Sequence, residues 1–264
     1  MSRFTSESGD EFHAPSIDDF YPEALFGEGT FYEFNRVMMV RLIAAVVLVG
    51  IMIFVARRAT VVPSRGQSVV EIIIDYLREN VIYGVLGEVE GKKYQKMLLT
   101  MFFGIFAFNI TGIIPGLNIA STGLIGISLV LAATTWIVYV TNGVRKHGFG
   151  GYVKHSLFPP GVPVALKPLI AIIDFLQVLI IRPATLALRL TINMIVGHLL
   201  LVLFFAATHF FFFGLSGGYI AFGVGTLAFG IVFTFFEILV AVLQAYVFTL
   251  LTAVYLQLAL ADEH

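Results

Sequence analysis

Apolar residues run almost unbroken through five stretches of the chain, and the polar positions between them predict its elements. The first stretch, 37–55, closes at Arg57-Arg58. Next comes SVVEIIIDYLRENVIYGVLG, where Val69, Ile72, Ile73, Tyr76 and Leu77 recur at helical spacing while Glu71, Asp75, Arg78 and Glu79 fall elsewhere. This segment is too charged to cross a bilayer and predicts an amphipathic helix lying at the interface. Two further apolar stretches, 97–114 and 121–140, meet at the turn signal GIIPG. A loop with four prolines between Pro159 and Pro168 reads as irregular, and two long runs follow, 169–213 and 218–260, divided by GLSGG.

Those last runs exceed forty residues each. As helices they would be roughly 60 Å long, against a hydrocarbon thickness of about 30 Å. Each either folds back as two spans or forms one strongly tilted helix, with Pro183 as a place to kink. GLSGG is the clearest hinge, so a tilted two-helix hairpin is expected.

Composition narrows the class. Of 264 residues, 58% are hydrophobic and 12% charged, and 26 are phenylalanine, more than one soluble core would bury. The expectation is an all-α polytopic membrane protein with about five transmembrane helices. A polar, acidic segment, 1–36, precedes a single membrane domain, 37–264. A net charge of −1 gives no sign of nucleic-acid binding, and with no cysteine there is no disulfide, thiol nucleophile or thiolate metal site. The opening MSRFTSESGDEFHAPSIDDFYP has no apolar core, so no cleavable secretory signal is expected.

Basic residues orient the chain. Arg57, Arg58, Arg65, Arg78, Lys92, Lys93 and Lys96 lie in 57–96, and Arg145, Lys146, Lys154 and Lys167 in 141–167. The connections at 115–120 and 214–218 hold none. The excess of positive charge on cytoplasmic loops then places the N-terminal segment outside and the C-terminus, ADEH, inside.

From Leu169 to Ala261 the charged residues are Asp174, Arg182, Arg189 and Glu237, joined by the imidazoles of His198 and His209. At about 100° per residue, Arg182, Arg189 and Asn193 share one face, and Thr191, His198 and His209 the opposite one. On the last run Thr226, Glu237, Gln244 and Tyr255 align, with Thr234 and Thr252 nearby. Lipid offers no hydrogen bonds, so such a stripe needs a partner. Threonines alone read as interhelical packing. Glu237 and His198 both exchange protons, as in membrane relays, and point to a proton path. Arg182, beside Pro183, reads as structural, reaching freed carbonyls or headgroups. Arg189 is deeper, with Asn193 placed to orient it. Its partner is either Glu237 on the other helix or a carboxylate on another protein.

Other motifs are weak. HExxH, GxxxxGK[ST] and a nucleophile triad are missing from the sequence, so neither metal nor cofactor is expected. Gly112 and Gly116, like Gly214 and Gly218, have a packing spacing but read as turns; Gly223, Gly225 and Gly230 read as points of close helix approach. His13, His147 and His155 lie in polar segments and read as solvated.

RPATLALRLTINM resembles a signature of subunit a of the F-type ATP synthase, and LQAYVFTLLTAVYLQLALADEH, with Gln244 and Tyr255, resembles its second. FNITGIIPG is similar to the end of that family's second span. The likeness runs from about Lys96 to the C-terminus. It implies a non-catalytic, proton-conducting stator in a bacterial-type plasma membrane, working against the carboxylates of a rotating ring of c subunits and held by the peripheral stalk subunit b. Arg189 would be the essential arginine, and Asn193, His198, Glu237 and Gln244 would line two half-channels. Tyr255, Thr191, His209, Asp174 and Arg182 are further candidates for the path or its support. Thr191-Ile192 stand where the family often has Phe-Gly, and acid and histidine are exchanged between 198 and 237. That exchange keeps one acid and one imidazole and favours a coupled pair. A family acid near 175 has no aligned match, although Asp174 is adjacent. A secondary ion transporter or antiporter is the alternative, against which stand the lack of internal repeats and of a buried aspartate pair. An intramembrane hydrolase using Glu237 and His198 would lack a nucleophile.

Overall fold

The computed structural model describes residues 24–26, 34–58, 60, 65–114, 121–157, 166–214 and 219–261. The acidic stretch 1–23 with His13, most of the proline-rich loop (158–165), the hinge residues 215–218 and the tail 262–264 lie outside the described residues, as does the side chain of His155.

Among the described residues seven α-helices carry the architecture. They are α1 (Arg36–Arg57), α2 (Arg65–Tyr76), α3 (Gly84–Ile110), α4 (Ile125–Leu157), α5 (Lys167–Leu176), α6 (Arg182–His209) and α7 (Ile220–Leu260). Single π-helical turns at Leu77–Tyr83, Gln177–Ile181 and Phe210–Gly214 join some of them without a break. Near the end of the N-terminal segment, β1 (Ala24–Phe26) and β2 (Phe34–Asn35) form a small antiparallel pair. The fold is all-α and that of a polytopic membrane protein. Among the described residues, Arg36–Arg57, Ile125–Lys154, Lys167–Gly214 and Ile220–Leu260 are long and apolar enough to cross a bilayer.

Local sequence explains the boundaries. α1 begins where the Asn35 side-chain oxygen accepts the Met38 N–H at 3.0 Å, filling one of the free donors of the first turn. It buries Val37, Val40 and Ala44, while Leu42, Val46 and Val47 stay exposed, the apolar exterior expected of a helix facing lipid. The amphipathic segment divides its apolar residues: Val69, Ile72 and Tyr76 are exposed, and Leu77, Val81 and Ile82 turn into the core.

Two boundaries differ from the sequence expectation. α4 starts at Ile125 and continues to Leu157, so much of the presumed loop 141–167 is helical. Its axis breaks at Gly148, whose φ of 72° belongs to the left-handed region that glycine tolerates. The part beyond folds back far enough for the Tyr152 ring to lie on Gly143, where a Cβ would collide with it. His147, expected in solvent, is thereby half-buried. Gly87, with φ 74°, makes a similar break near the start of α3. Of the expected span 97–114, residues 97–110 belong to α3, which buries Leu98, Met101, Phe102, Ile105 and Asn109, and 111–114 form a turn.

The two long C-terminal runs are each one continuous helical element, 48 residues over Lys167–Gly214 and 41 over Ile220–Leu260. Neither folds back on itself. They pack against each other and against α3 and α4 around Leu98, Ile105, Leu186, Leu190, Ala245 and Phe248. At one end Lys146 donates to the last helical carbonyl of α7, Leu260, at 2.5 Å, a cation where the helix dipole is negative. Tyr94 donates to Asn142 at 2.8 Å and ties α3 to α4 nearby.

Candidate ion-conducting site

The polar stripe of α7 meets α6 rung by rung, and the partners descend in α6 as they climb in α7. Thr208 donates to Thr226 at 3.0 Å. The Glu237 carboxylate lies on Gly197, where a Cβ would sit 3.2 Å from Oε1. Asn193 Nδ2 donates to Gln244 Oε1 at 2.9 Å. The Arg182 guanidinium stands 5.1 Å above the centre of the Tyr255 ring, a cation–π contact. Helical periodicity alone puts the four α7 residues on one face. The antiparallel hairpin supplies a different partner at each level.

Arg189 looks the other way. Leu186, Ala187 and Leu190 pack into the core, whereas Leu188, Arg189, Ile192, Asn193 and Val196 form the exposed face of α6. The ion pairs among the described residues are Arg78–Asp75, Lys92–Glu88 and Lys93–Glu90, so Arg189 is not neutralised by Glu237 or Asp174. Glu237 is 1% exposed on the seam, on the side of α6 away from the exposed face that carries Arg189. Asn193 connects the faces: it is exposed beside Arg189, yet its amide reaches Gln244 inside.

A cavity of about 300 Å³ opens at this level, lined by Asn193, Val196, Gly197, Leu200, Phe233, Phe236, Glu237 and Val240. It has room for on the order of ten waters at their liquid volume. Among the described residues both carboxylate oxygens of Glu237, in its lining, lack a hydrogen-bond partner, as do Gln244 Nε2 on the neighbouring rung and Thr191 Oγ1 on the buried face of α6. Buried polar groups are rarely left so, and water is the ordinary partner that such atoms take. The end of α3 closes the region, with Ile113 against Met194 and Ala241. One turn earlier, buried Asn109 accepts from Thr122 at 2.7 Å and leaves its own Nδ2 without a partner.

The sequence matches the model of the family described as ATP synthase A chain over residues 38–257. It is 47% identical to ATP synthase subunit a of Rhodococcus erythropolis over 262 residues, covering 98% of this chain and 95% of that one. Identity to ATP synthase subunit a of Streptomyces lividans is 35% over 255 residues, with coverage of 96% and 89%. For the protein of that name from Nocardioides it is 34%, covering 99% and 95%.

The chain belongs to the ATP synthase A chain family. Of the residues that the family resemblance singled out, Asn193 and Glu237 line one cavity and Gln244 holds Asn193 from the next rung, with Arg189 on the outer face beside them. Thr191 and His198 are buried on the face opposite Arg189, as the periodicity predicts. His198 and Glu237 are not hydrogen-bonded to each other, because neither carboxylate oxygen has a partner; Gly197, not His198, faces the acid. Arg182 and Tyr255 pair with each other further down. His209 is exposed, its ring 5.0 Å from that of Phe213, and Asp174 is half-buried on α5, so neither joins the cavity. Sequence reasoning missed Gly197 and Asn109. Gly197 follows Asn193 by four residues, one helical turn, and that spacing was the available signal.

Proposed function

We propose that this chain is the proton-conducting stator of the ATP synthase membrane sector, working against a ring of c subunits that each carry an intramembrane carboxylate. The observation that carries this reading is the division of α6: a charged guanidinium on the exposed face, a buried acid and amide, Glu237 and Gln244, behind it, and Asn193 between them. A guanidinium keeps its proton and costs about 3 kcal/mol or more in bare lipid, so it calls for an anionic partner outside the chain.

Protons enter from the outer side through the cavity, exchange at Glu237 with His198 at hand, and pass along Gln244 and Asn193 to the rim of the exposed face. There a ring carboxylate takes one up and becomes neutral. A neutral group crosses the lipid-facing part of the turn without the solvation cost of a charge. After nearly a full turn it releases its proton on the cytoplasmic side and meets Arg189 as an anion. The fixed positive charge attracts that anion and repels protons that would pass straight between the two sides. In this arrangement the N-terminal segment is outside, the C-terminus is cytoplasmic, and peripheral stalk subunit b holds the stator still. The chain performs no phosphate chemistry.

The test is respiration-driven ATP synthesis by inverted membrane vesicles carrying Arg189→Ala, with the complex recovered and its composition checked. Synthesis falls at least a hundredfold in an assembled complex if Arg189 is the gate. Synthesis within twofold of the unaltered protein refutes the assignment.

A further inference from the structure

The joint between α5 and α6 contains a carbonyl that its own helix cannot satisfy. Across the π turn the Arg182 N–H bonds to Gln177 O, five residues back. The next N–H in that register would serve Val178 O, and the residue that should carry it is Pro183, which has none. Two side chains of α4, one turn apart, fill the gap: Trp136 Nε1 donates to Val178 O at 3.1 Å and Tyr139 Oη donates to the same oxygen at 2.6 Å. Tyr139 also stacks edge-on to Tyr255 at 5.9 Å, the ring beneath Arg182, so both sides of the turn rest on one aromatic cradle.

Building on the gate reading above, we propose that Trp136 and Tyr139 are positioning residues that fix the rotational setting of Arg189. A π turn holds one residue more than an α turn, so closing or moving it rotates everything beyond by about 100°. Arg189 would then take the azimuth of its successor, Leu190, which is 0% exposed in the core. The gate's outward aim therefore depends on an oxygen held from a neighbouring helix, and neither donor touches the arginine.

The proposal is tested by ATP synthesis in vesicles carrying the assembled complex. Trp136→Phe and Tyr139→Phe each keep the ring and remove one donor, and each lowers synthesis about two- to threefold, since the other donor remains. The pair together lowers it at least tenfold. Adding Pro183→Ala returns an N–H to the position that serves Val178 O and restores synthesis to at least half of that of Pro183→Ala alone. A loss of mere packing would not be repaired by that substitution on another helix. Synthesis within twofold of normal in the double variant, or no recovery with Pro183→Ala, overturns the proposal. If the double variant does not assemble, Tyr139→Phe decides: a loss that Pro183→Ala reverses supports the proposal, and an unchanged rate or an unreversed loss overturns it. Arg189→Ala, measured in parallel, separates the two readings: normal synthesis there removes the gate itself, whereas its loss beside a normal double variant removes only the positioning role.

Discussion

At the scale of single residues, the site is defined by what is missing around Glu237. Its carboxylate has no protein partner and rests on the one residue type that leaves it room, Gly197. Gly197→Ala places a methyl 3.2 Å from Oε1, closer than ordinary contact, and narrows the cavity. The expected result is a severalfold fall in ATP synthesis with assembly unchanged, and Gly197→Leu, which fills more of the space, falls further. Glu237→Gln keeps the shape and removes the exchangeable charge; synthesis drops at least tenfold if the acid relays protons, and a normal rate would leave it a structural residue. The polar stripe of α7 was legible in the sequence, because an 11-residue and a 7-residue interval each return to nearly the same azimuth on a helix. That Glu237 faces Gly197 and not His198 was not legible. The facing residue depends on the register between two helices, and periodicity within each says nothing about their offset.

At the scale of elements, the length of the last two helices followed from uninterrupted apolarity, and the structure makes each continuous. The π turn at Gln177–Ile181 did not follow, since it rests on tertiary contacts: Pro183 leaves the Val178 carbonyl without its N–H, and the α4 side chains opposite supply the donors instead. The extent of α4 was hidden for a similar reason. Asn142, Gly143, Gly148, Gly150 and Gly151 look like a loop, and the helix persists because Tyr152 covers Gly143 and the break is confined to Gly148. Gly148→Ala forces a side chain into the left-handed region, at a cost of about 1–2 kcal/mol. Its measurable outcome is a lower unfolding temperature of the detergent-solubilised protein. Gly150→Ala, with open space around its Cβ and no positive φ, leaves that temperature unchanged or raises it.

At the scale of the whole molecule, the lack of cysteine in the sequence makes the orientation directly measurable. In inverted vesicles, Lys154→Cys reacts with a membrane-impermeant maleimide and Phe213→Cys does not; in right-side-out vesicles the order reverses. The opposite pattern would reverse the path of the proton through the molecule. The unneutralised Arg189 also bears on the life of the chain before it has partners. With Leu188, Ile192 and Val196 around it, the guanidinium faces hydrocarbon whenever the complementary surface is absent. An orphan copy thus carries a local defect in its transmembrane surface that vanishes on docking, and membrane proteases that extract poorly inserted helices would find it first. The same charge that we propose as the gate would then keep surplus copies short-lived, and Arg189→Leu would lengthen the half-life of the subunit in cells that lack its partners.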